Sequence, residues 1–294
     1  MYAMLNGAKI FFDVTGLQYV PDGKVMKERP VCLCFAGGPG CSHIGYLNTI
    51  TEMSEYMQLI FIDDRSTGKS ERRDLSESTL EQNAADGEAL RKYLGLNKIF
   101  VLGHSYGGMT AQKYAIDYQE NLHGLILIST GHNWQIRPHE NEIVMKRGNE
   151  EQKKIWQTYV AGGDVDMGDF LHIMSSLYYY NYTEEIEKKE EDIKLRRIGW
   201  VNDDLSNYQV AHELSDFEYI NELRNVKCPT IIFAGKDDFI TSYEHAVEMH
   251  EAMPHSELHI LDRCSHELFC DRPEYFFPHV KDFVERNFKP ESII

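Results

Sequence analysis

The sequence has few cysteines and no long apolar run. Six cysteines in 294 residues are too sparse for a disulfide scaffold, and they contain no C-x2-C pair of the kind that binds zinc. No segment approaches the ~20 consecutive apolar residues of a membrane-spanning helix. These absences predict reduced structural thiols, no zinc site built from cysteine pairs and no membrane span.

Basic residues are also scarce. Lys and Arg number 30 against 47 Asp and Glu, which gives a formal net charge of −17. An acidic surface repels phosphate backbones and anionic lipid headgroups, so we expect no nucleic-acid partner and no membrane partner. The opening residues, MYAMLNGAKIFFDV, lack a basic stretch followed by a long apolar stretch. We therefore expect no signal peptide and a cytoplasmic location.

What the sequence does contain is a regular alternation of apolar runs and helical patterns. The runs typical of buried strands are 31–35, 59–62, 98–102, 122–128, 230–234 and 258–261. The helical patterns are 79–94, 107–118, 243–253 and 275–288. This alternation predicts an α/β fold with a mostly parallel sheet that is covered by helices on both faces.

Residues 131–226, here called the inserted segment, interrupt that alternation. They show no convincing buried strand, and they contain all three tryptophans of the chain. The stretch TEEIEKKEEDIKLRR at 183–197 is typical of a solvated helix. We predict a core of 1–130 and 227–294, with the inserted segment as a helical cap. A cap that emerges at the carboxyl ends of parallel strands would stand over the usual ligand site.

The stretch GHSYGG at 103–108 lies between a predicted strand and a predicted helix, which is the context that G-x-S-x-G requires. A nucleophile on such a sharp turn adopts a strained backbone conformation. Side chains two residues before and after it would collide with the neighbouring helix and strand, and Gly103 and Gly107 remove them. The pattern predicts Ser105 as a nucleophile; the alternative is an ordinary serine in a turn.

A serine nucleophile needs a base, and the base needs an orienting carboxylate. In this fold the chain order is serine, acid, histidine. The turn after strand 230–234 offers Asp237 and Asp238, and the loop after strand 258–261 offers His266. The arrangement predicts a catalytic triad, which requires no metal or organic cofactor.

Acyl transfer also needs two N–H groups that stabilise the negative oxygen of the tetrahedral intermediate. One should come from Tyr106, the residue after the nucleophile. The other should come from the loop AGGPG at 36–40, where glycines let the backbone approach a substrate closely.

With these residues assembled, the chain resembles the α/β hydrolases and, more narrowly, the proline iminopeptidase family of serine peptidases. AGGPG at 36–40 is similar to that family's H-G-G-P-G, DDRSTGKS at 63–70 to its D-Q-R-G-x-G-x-S, and GHSYGG to its G-G-S-W-G-[GS]. The resemblance implies that Ser105 is the nucleophile and His266 the base, and it favours Asp238 over Asp237 as the acid. It also implies that the N–H groups of Gly38 and Tyr106 form the oxyanion hole.

The chain departs from the family pattern in the residues that would bind substrate. The family binds the free N-terminal amine with glutamates of its cap, and Ser206-Asn207-Tyr208 stands where the family tends to have N-E-[FY]. Within the motifs, the residues that replace the family histidine, glutamine, glycine and tryptophan are Ala36, Asp64, Ser66 and Tyr106. We still expect at least one acid of the inserted segment to face the site; the candidates include Glu184, Glu185, Glu213 and Asp216.

The leading hypothesis is therefore a serine hydrolase that releases an N-terminal proline or another small residue from short peptides. An esterase, lactonase or amidase acting on a small substrate would use the same triad and acyl-enzyme, so the triad does not separate these activities. An alternative of another class is a catalytically silent member that binds a ligand.

Overall fold

The computed structural model describes residues 1–47, 49–188 and 202–290. In these residues eight strands form one sheet in the order β1-β2-β6-β5-β7-β8-β9-β10, and β3 and β4 form a separate antiparallel pair. From β6 to β10 neighbouring strands run parallel, whereas β1 and β2 form an antiparallel edge. The strands are β1 Tyr2–Leu5, β2 Ala8–Thr15, β3 Tyr19–Asp22, β4 Val25–Glu28, β5 Val31–Phe35, β6 Gln58–Ile62, β7 Ile99–His104, β8 Leu122–Ile128, β9 Thr230–Gly235 and β10 Ser256–Leu261.

The predicted mostly parallel sheet is confirmed, and helices cover both of its faces. Every residue of β5, β7 and β9 is buried, because successive side chains point to opposite faces and both faces are covered. The helices are α1 Leu80–Tyr93, α2 Tyr106–Tyr118, α3 Pro138–Arg147, α4 Glu150–Val160, α5 Met167–Ile173, α6 Asp203–His212, α7 Ile220–Leu223, α8 Tyr243–Ala252, α9 Leu268–Asp271 and α10 Pro273–Asn287.

The two faces of the sheet have separate apolar cores. Val101 and Ile232 pack on the side of α1, α2 and α8. Their neighbours Phe100 and Phe233 pack on the side of α10. No disulfide joins the six cysteines, all of which lie in the described residues. Within those residues no helix combines the length and the apolar character needed to cross a membrane.

The described part of the inserted segment is mainly helical, and α3 to α7 lie within it. Its helices share a small apolar core that includes the fully buried Trp156, and this ring contacts Phe170 and, from the loop after β9, Phe239. A bridge between Asn133 and Glu218 joins its two ends. The predicted solvated helix at 183–197 is described only as far as residue 188, and Trp200 lies outside the described residues.

Candidate active site

Ser105 occupies a strained turn between β7 and α2. Its φ is 55° and its ψ −124°, a region in which a residue with a side chain costs roughly 1–3 kcal/mol. A Cβ atom on Gly103 would overlap the carbonyl oxygen of Gly107, and one on Gly107 would overlap the carbonyl oxygens of Phe35 and Ala36. The steric role predicted for both glycines is confirmed, and the turn holds the Ser105 side chain at the carboxyl edge of the sheet.

His266 and Asp238 form a buried pair near that turn. His266 Nδ1 lies 2.8 Å from Asp238 Oδ2. The backbone N–H groups of Ile240 and Thr241 donate to Asp238 Oδ1, and the Thr241 hydroxyl donates to Oδ2. These bonds satisfy and fix the carboxylate. The structure thus places Asp238 against His266, whereas its neighbour Asp237 bonds to this region through its backbone, by donating its N–H to Cys264.

Each member of this pair shifts the other's pKa. Burial alone raises the pKa of Asp238, but the charge and hydrogen bond of His266 outweigh burial and hold the pKa below its ordinary value. Burial alone lowers the pKa of His266, but the charge and hydrogen bond of Asp238, together with the charge of Glu267, outweigh that effect and raise the pKa above its ordinary value. Asp238 is therefore a charged acceptor for the Nδ1–H of His266, which leaves Nε2 to accept a proton.

A cavity of about 140 Å³ brings Ser105 and His266 to a common wall. Gly37, Gly38 and Pro39 of the predicted oxyanion loop line it as well. The inserted segment supplies half of the remaining lining residues, which are Trp134, Met167, Phe170, Leu171, Ser175, Tyr178, Tyr179 and Ser206. The predicted nucleophile, base and oxyanion loop thus meet at one mostly apolar cavity.

A hydrogen-bonded chain connects the loops around the cavity. The N–H of Gly37 donates to Tyr46 Oη at 2.7 Å, and Tyr46 Oη lies 2.9 Å from His104 Nδ1. His104 Nε2 lies 3.2 Å from the carbonyl oxygen of His266. Burial, with the charge of His266, lowers the pKa of His104 to about 3, so the ring is neutral. A neutral ring fits a single pattern here, in which Tyr46 donates to Nδ1 and Nε2–H donates to His266.

The sequence did not predict this series of hydrogen bonds, because Tyr46 belongs to no motif. It also bears on the oxyanion loop, since the Gly37 N–H is already bonded to Tyr46. Gly38 has a φ of 140°, a conformation that favours glycine. The N–H of Tyr106 lies in the first turn of α2, where backbone donors have no partner within the helix. The assignment of these two N–H groups to an oxyanion hole stays a prediction.

The four acids named for amine binding do not line the cavity. Glu184, Glu185 and Asp216 are exposed. Glu213 accepts the N–H of Leu80 at 2.6 Å and the hydroxyl of Tyr106 at 3.4 Å. None of these four candidates faces the cavity, and helix packing turns Glu213 toward α1. The expectation that some acid of the inserted segment faces the site stays a prediction, because residues 189–201 lie outside the described residues.

Among the described residues, the carboxylate that lines the cavity belongs to Glu267, the residue directly after His266. It is half-buried, and its charge contributes to raising the pKa values of the cavity residues Tyr46, Tyr178 and His266, although burial is the largest influence on each. Sequence analysis missed Glu267, and its position beside the predicted base was the available signal.

The motif DDRSTGKS lies beside the cavity wall and has a structural role. Asp63 is buried, and its carboxylate lies 2.7 Å from His43 Nδ1. Arg65 Nε donates to Asp86 at 2.6 Å, which joins this loop to α1. A Cβ atom at Gly68 would overlap the Asp63 carboxylate, so the glycine permits this turn.

Comparisons with known proteins agree with this architecture. Residues 30–273 match the model of a family described by the alpha/beta hydrolase fold. A proline iminopeptidase of Thermoplasma volcanium is 25% identical over 295 residues, which cover 97% of this chain and 96% of that protein. The resemblance predicted from the three motifs is confirmed.

Solved structures show the same fold. The proline iminopeptidase of Mycobacterium smegmatis has a TM-score of 0.76 at 18% identity, and the match covers 98% of each chain. The enol-lactonase of Burkholderia xenovorans LB400 has a TM-score of 0.70 at 17% identity, covering 97% of this chain and 100% of that one. At these identities the two structures support the fold alone.

Proposed function

The chain belongs to the α/β-hydrolase fold family, and we propose that it is a serine hydrolase with the triad Ser105, His266 and Asp238. The observation that carries the proposal is the buried His266–Asp238 pair at 2.8 Å, whose histidine lines the same cavity as a serine held with φ 55°. Nothing in the arrangement calls for a metal or an organic cofactor.

The reaction proceeds through an acyl-enzyme. Ser105 Oγ attacks the substrate carbonyl carbon and passes its proton to His266 Nε2. The carbonyl oxygen becomes negative and accepts hydrogen bonds from the N–H groups of Gly38 and Tyr106. The bond to the leaving group then breaks, and the leaving nitrogen takes the proton from His266. A water molecule releases the acyl group by the same steps, and Asp238 holds the ring in position throughout.

We propose a short peptide with a small N-terminal residue, preferably proline, as the substrate. Curated relatives support this choice, because the T. volcanium protein is a proline iminopeptidase that matches over nearly its whole length. The inserted segment would act as a cap, with Trp134 and Phe170 supplying apolar surface for a proline ring. Glu267 would pair with the substrate's ammonium group, since burying an unpaired charge costs several kcal/mol.

An esterase or lactonase activity is the second candidate. The observation that favours it is the mostly apolar cavity, in which the four acids first expected to bind an amine have no place. A catalytically silent ligand-binding protein is the third candidate. Covalent labelling of Ser105 by a fluorophosphonate separates the first two from the third.

A substrate pair tests the peptidase proposal. We expect prolyl-β-naphthylamide to be cleaved and its N-acetylated analogue to be cleaved at least about 30-fold more slowly, because acetylation removes the positive charge that Glu267 would bind. Glu267→Gln should lower kcat/KM for the free-amine compound relative to a p-nitrophenyl acyl ester by a similar factor. Equal hydrolysis of the acetylated compound would replace the peptidase proposal with the esterase one.

A further inference from the structure

A second cluster of chemically active side chains lies at the base of the inserted segment. His132 follows β8, and His245 and Glu248 lie on α8. One potential ligand atom from each residue lies within 4.8 Å of the other two. The spacing H-x-x-E puts His245 and Glu248 on one face of α8, because residues three apart in a helix are neighbours. None of the three lines the cavity that holds Ser105.

Both imidazoles are oriented as metal ligands are. His132 Nδ1 lies 2.7 Å from Glu218 Oε1, and its other nitrogen, Nε2, lies 2.6 Å from Glu248 Oε2. His245 Nε2 lies 3.2 Å from the carbonyl oxygen of Gln135. Metal-binding histidines usually donate the N–H of the outer nitrogen to a carboxylate or a backbone carbonyl. With those donations made, His245 Nδ1 carries a lone pair that faces the cluster. At His132 the Nε2–H donates to Glu248 Oε2 at 2.6 Å, and a metal ion bound between these two residues would replace that proton.

The guanidinium of Arg137 now occupies the position between these atoms. Its Nη2 lies 2.8 Å from Glu248 Oε2 and 3.5 Å from His245 Nδ1. Its Nε is buried and has no hydrogen-bond partner in the described part of the chain. The Arg137 side chain is 19% exposed and borders a surface cleft that is lined by Asn133, Arg224 and Glu251. The guanidinium is thus an incompletely satisfied cation with an open route out of the cluster.

We propose that His132, His245 and Glu248 form a binding site for a divalent transition metal of the zinc type, which displaces the guanidinium of Arg137. Two imidazole nitrogens and one carboxylate oxygen suit Zn²⁺, Co²⁺ or Ni²⁺, whereas Mg²⁺ and Ca²⁺ prefer oxygen ligands. Water from the cleft completes the coordination. Because His132 also contacts Glu218, the metal connects both ends of the inserted segment to α8. Its expected effect is on stability, and the hydrolytic reaction does not pass through it.

Cobalt titration of the chelator-treated full chain tests the site. We expect one Co²⁺ to bind, with visible d–d absorption bands, a raised Tm and displacement by Zn²⁺. His245→Gln and Glu248→Gln should each weaken binding at least about 30-fold. The matched control is His250→Gln, an exposed histidine on the same helix, which should bind as the wild type does. Arg137→Gln should tighten binding about tenfold, because it removes the competing cation.

The remaining outcomes overturn the proposal. Absence of saturable one-to-one binding by the wild type up to about 1 mM Co²⁺ refutes the site. Binding by Arg137→Gln alone shows that the guanidinium holds the cluster permanently in the natural protein. Unchanged binding by Glu248→Gln assigns the metal to other residues. The Glu248 side chain is half-exposed, so this variant should fold, and circular dichroism checks that it does.

Discussion

The carboxyl edge of the sheet and the inserted segment place their functional side chains by different means. At the edge, Ser105 follows the last residue of β7, Asp238 lies three residues after β9, and His266 lies five residues after β10. Each side chain is thus fixed by a strand that pairs with its neighbours. In the inserted segment, the side chains are oriented by helix packing, which turns Glu213 away from the cavity and brings Trp134 and Phe170 into it. Side-chain positions at strand ends depend on local chain geometry, whereas those in the pocket wall depend on how several helices pack together.

The largest effect on activity is expected from a substitution at the carboxyl edge of the sheet. Ser105→Ala should lower kcat by about 10⁴-fold or more, because no other group can form the acyl-enzyme. The fold should persist, since alanine removes only one hydroxyl group. The measurement is turnover of prolyl-β-naphthylamide together with fluorophosphonate labelling. Wild-type turnover by a well-folded variant would end the assignment of Ser105.

The second effect compares two adjacent carboxylates. Asp238→Asn should lower kcat by roughly 10³–10⁴-fold, because an amide cannot hold the His266 ring in its required tautomer and charge state. Asp237→Asn, the matched control, should change kcat by less than about threefold. Losing the Asp238 charge also lowers the pKa of His266, so the acid limb of the residual activity should move to lower pH. If Asp237→Asn proves the more damaging change, the acid is assigned one residue too late.

The same difference explains what the sequence could predict. The strands at 31–35 and 122–128 match their observed bounds, and the buried serine turn carries glycines that no other residue can replace. Strands β1 to β4 escaped prediction. β1, β3 and β4 have four residues each, and β3 and β4 bury none of theirs, whereas in β2 Lys9 and Asp13 interrupt the apolar residues, so none of the four shows a continuous apolar pattern. Tyr46 and Glu267 escaped because each acquires its role by contact with residues from other elements. A local sequence pattern shows the type of each residue, but it does not show which way the side chain points in the folded protein.

A pair of glycines tests this difference through stability. Gly107→Ala places a methyl group onto the carbonyl oxygens of Phe35 and Ala36, and should destabilise the protein by about 3 kcal/mol or more. Gly162 lies in the inserted segment with a φ of 71°, and a Cβ atom there would meet no other atom within 4 Å. Gly162→Ala should therefore lower the free energy of unfolding by only about 1–2 kcal/mol, the cost of holding alanine in the left-handed conformation. Urea unfolding measures both; equal losses would show that the turn has room to relax.

The smallest effect concerns Glu213, an acid of the inserted segment that accepts a hydrogen bond from Tyr106, the residue after Ser105. Because its carboxylate contacts the N–H of Leu80 and lies outside the cavity wall, Glu213→Gln should change the amine-to-ester preference by less than about twofold. A large loss of amine preference would show that Glu213, and thus the inserted segment, binds the substrate's ammonium group.

Stability should nevertheless respond to this substitution in a pH-dependent way. Burial raises the pKa of Glu213 from 4.5 to about 7. A carboxyl whose pKa is raised in the folded state favours folding most below its unfolded pKa, and that contribution is lost as pH rises through about 7. Glutamine cannot ionise, so Glu213→Gln should gain a few degrees of Tm relative to the wild type between pH 5 and pH 8. A Tm difference that stays constant across this range would mean that Glu213 ionises in the folded protein as readily as in the unfolded chain.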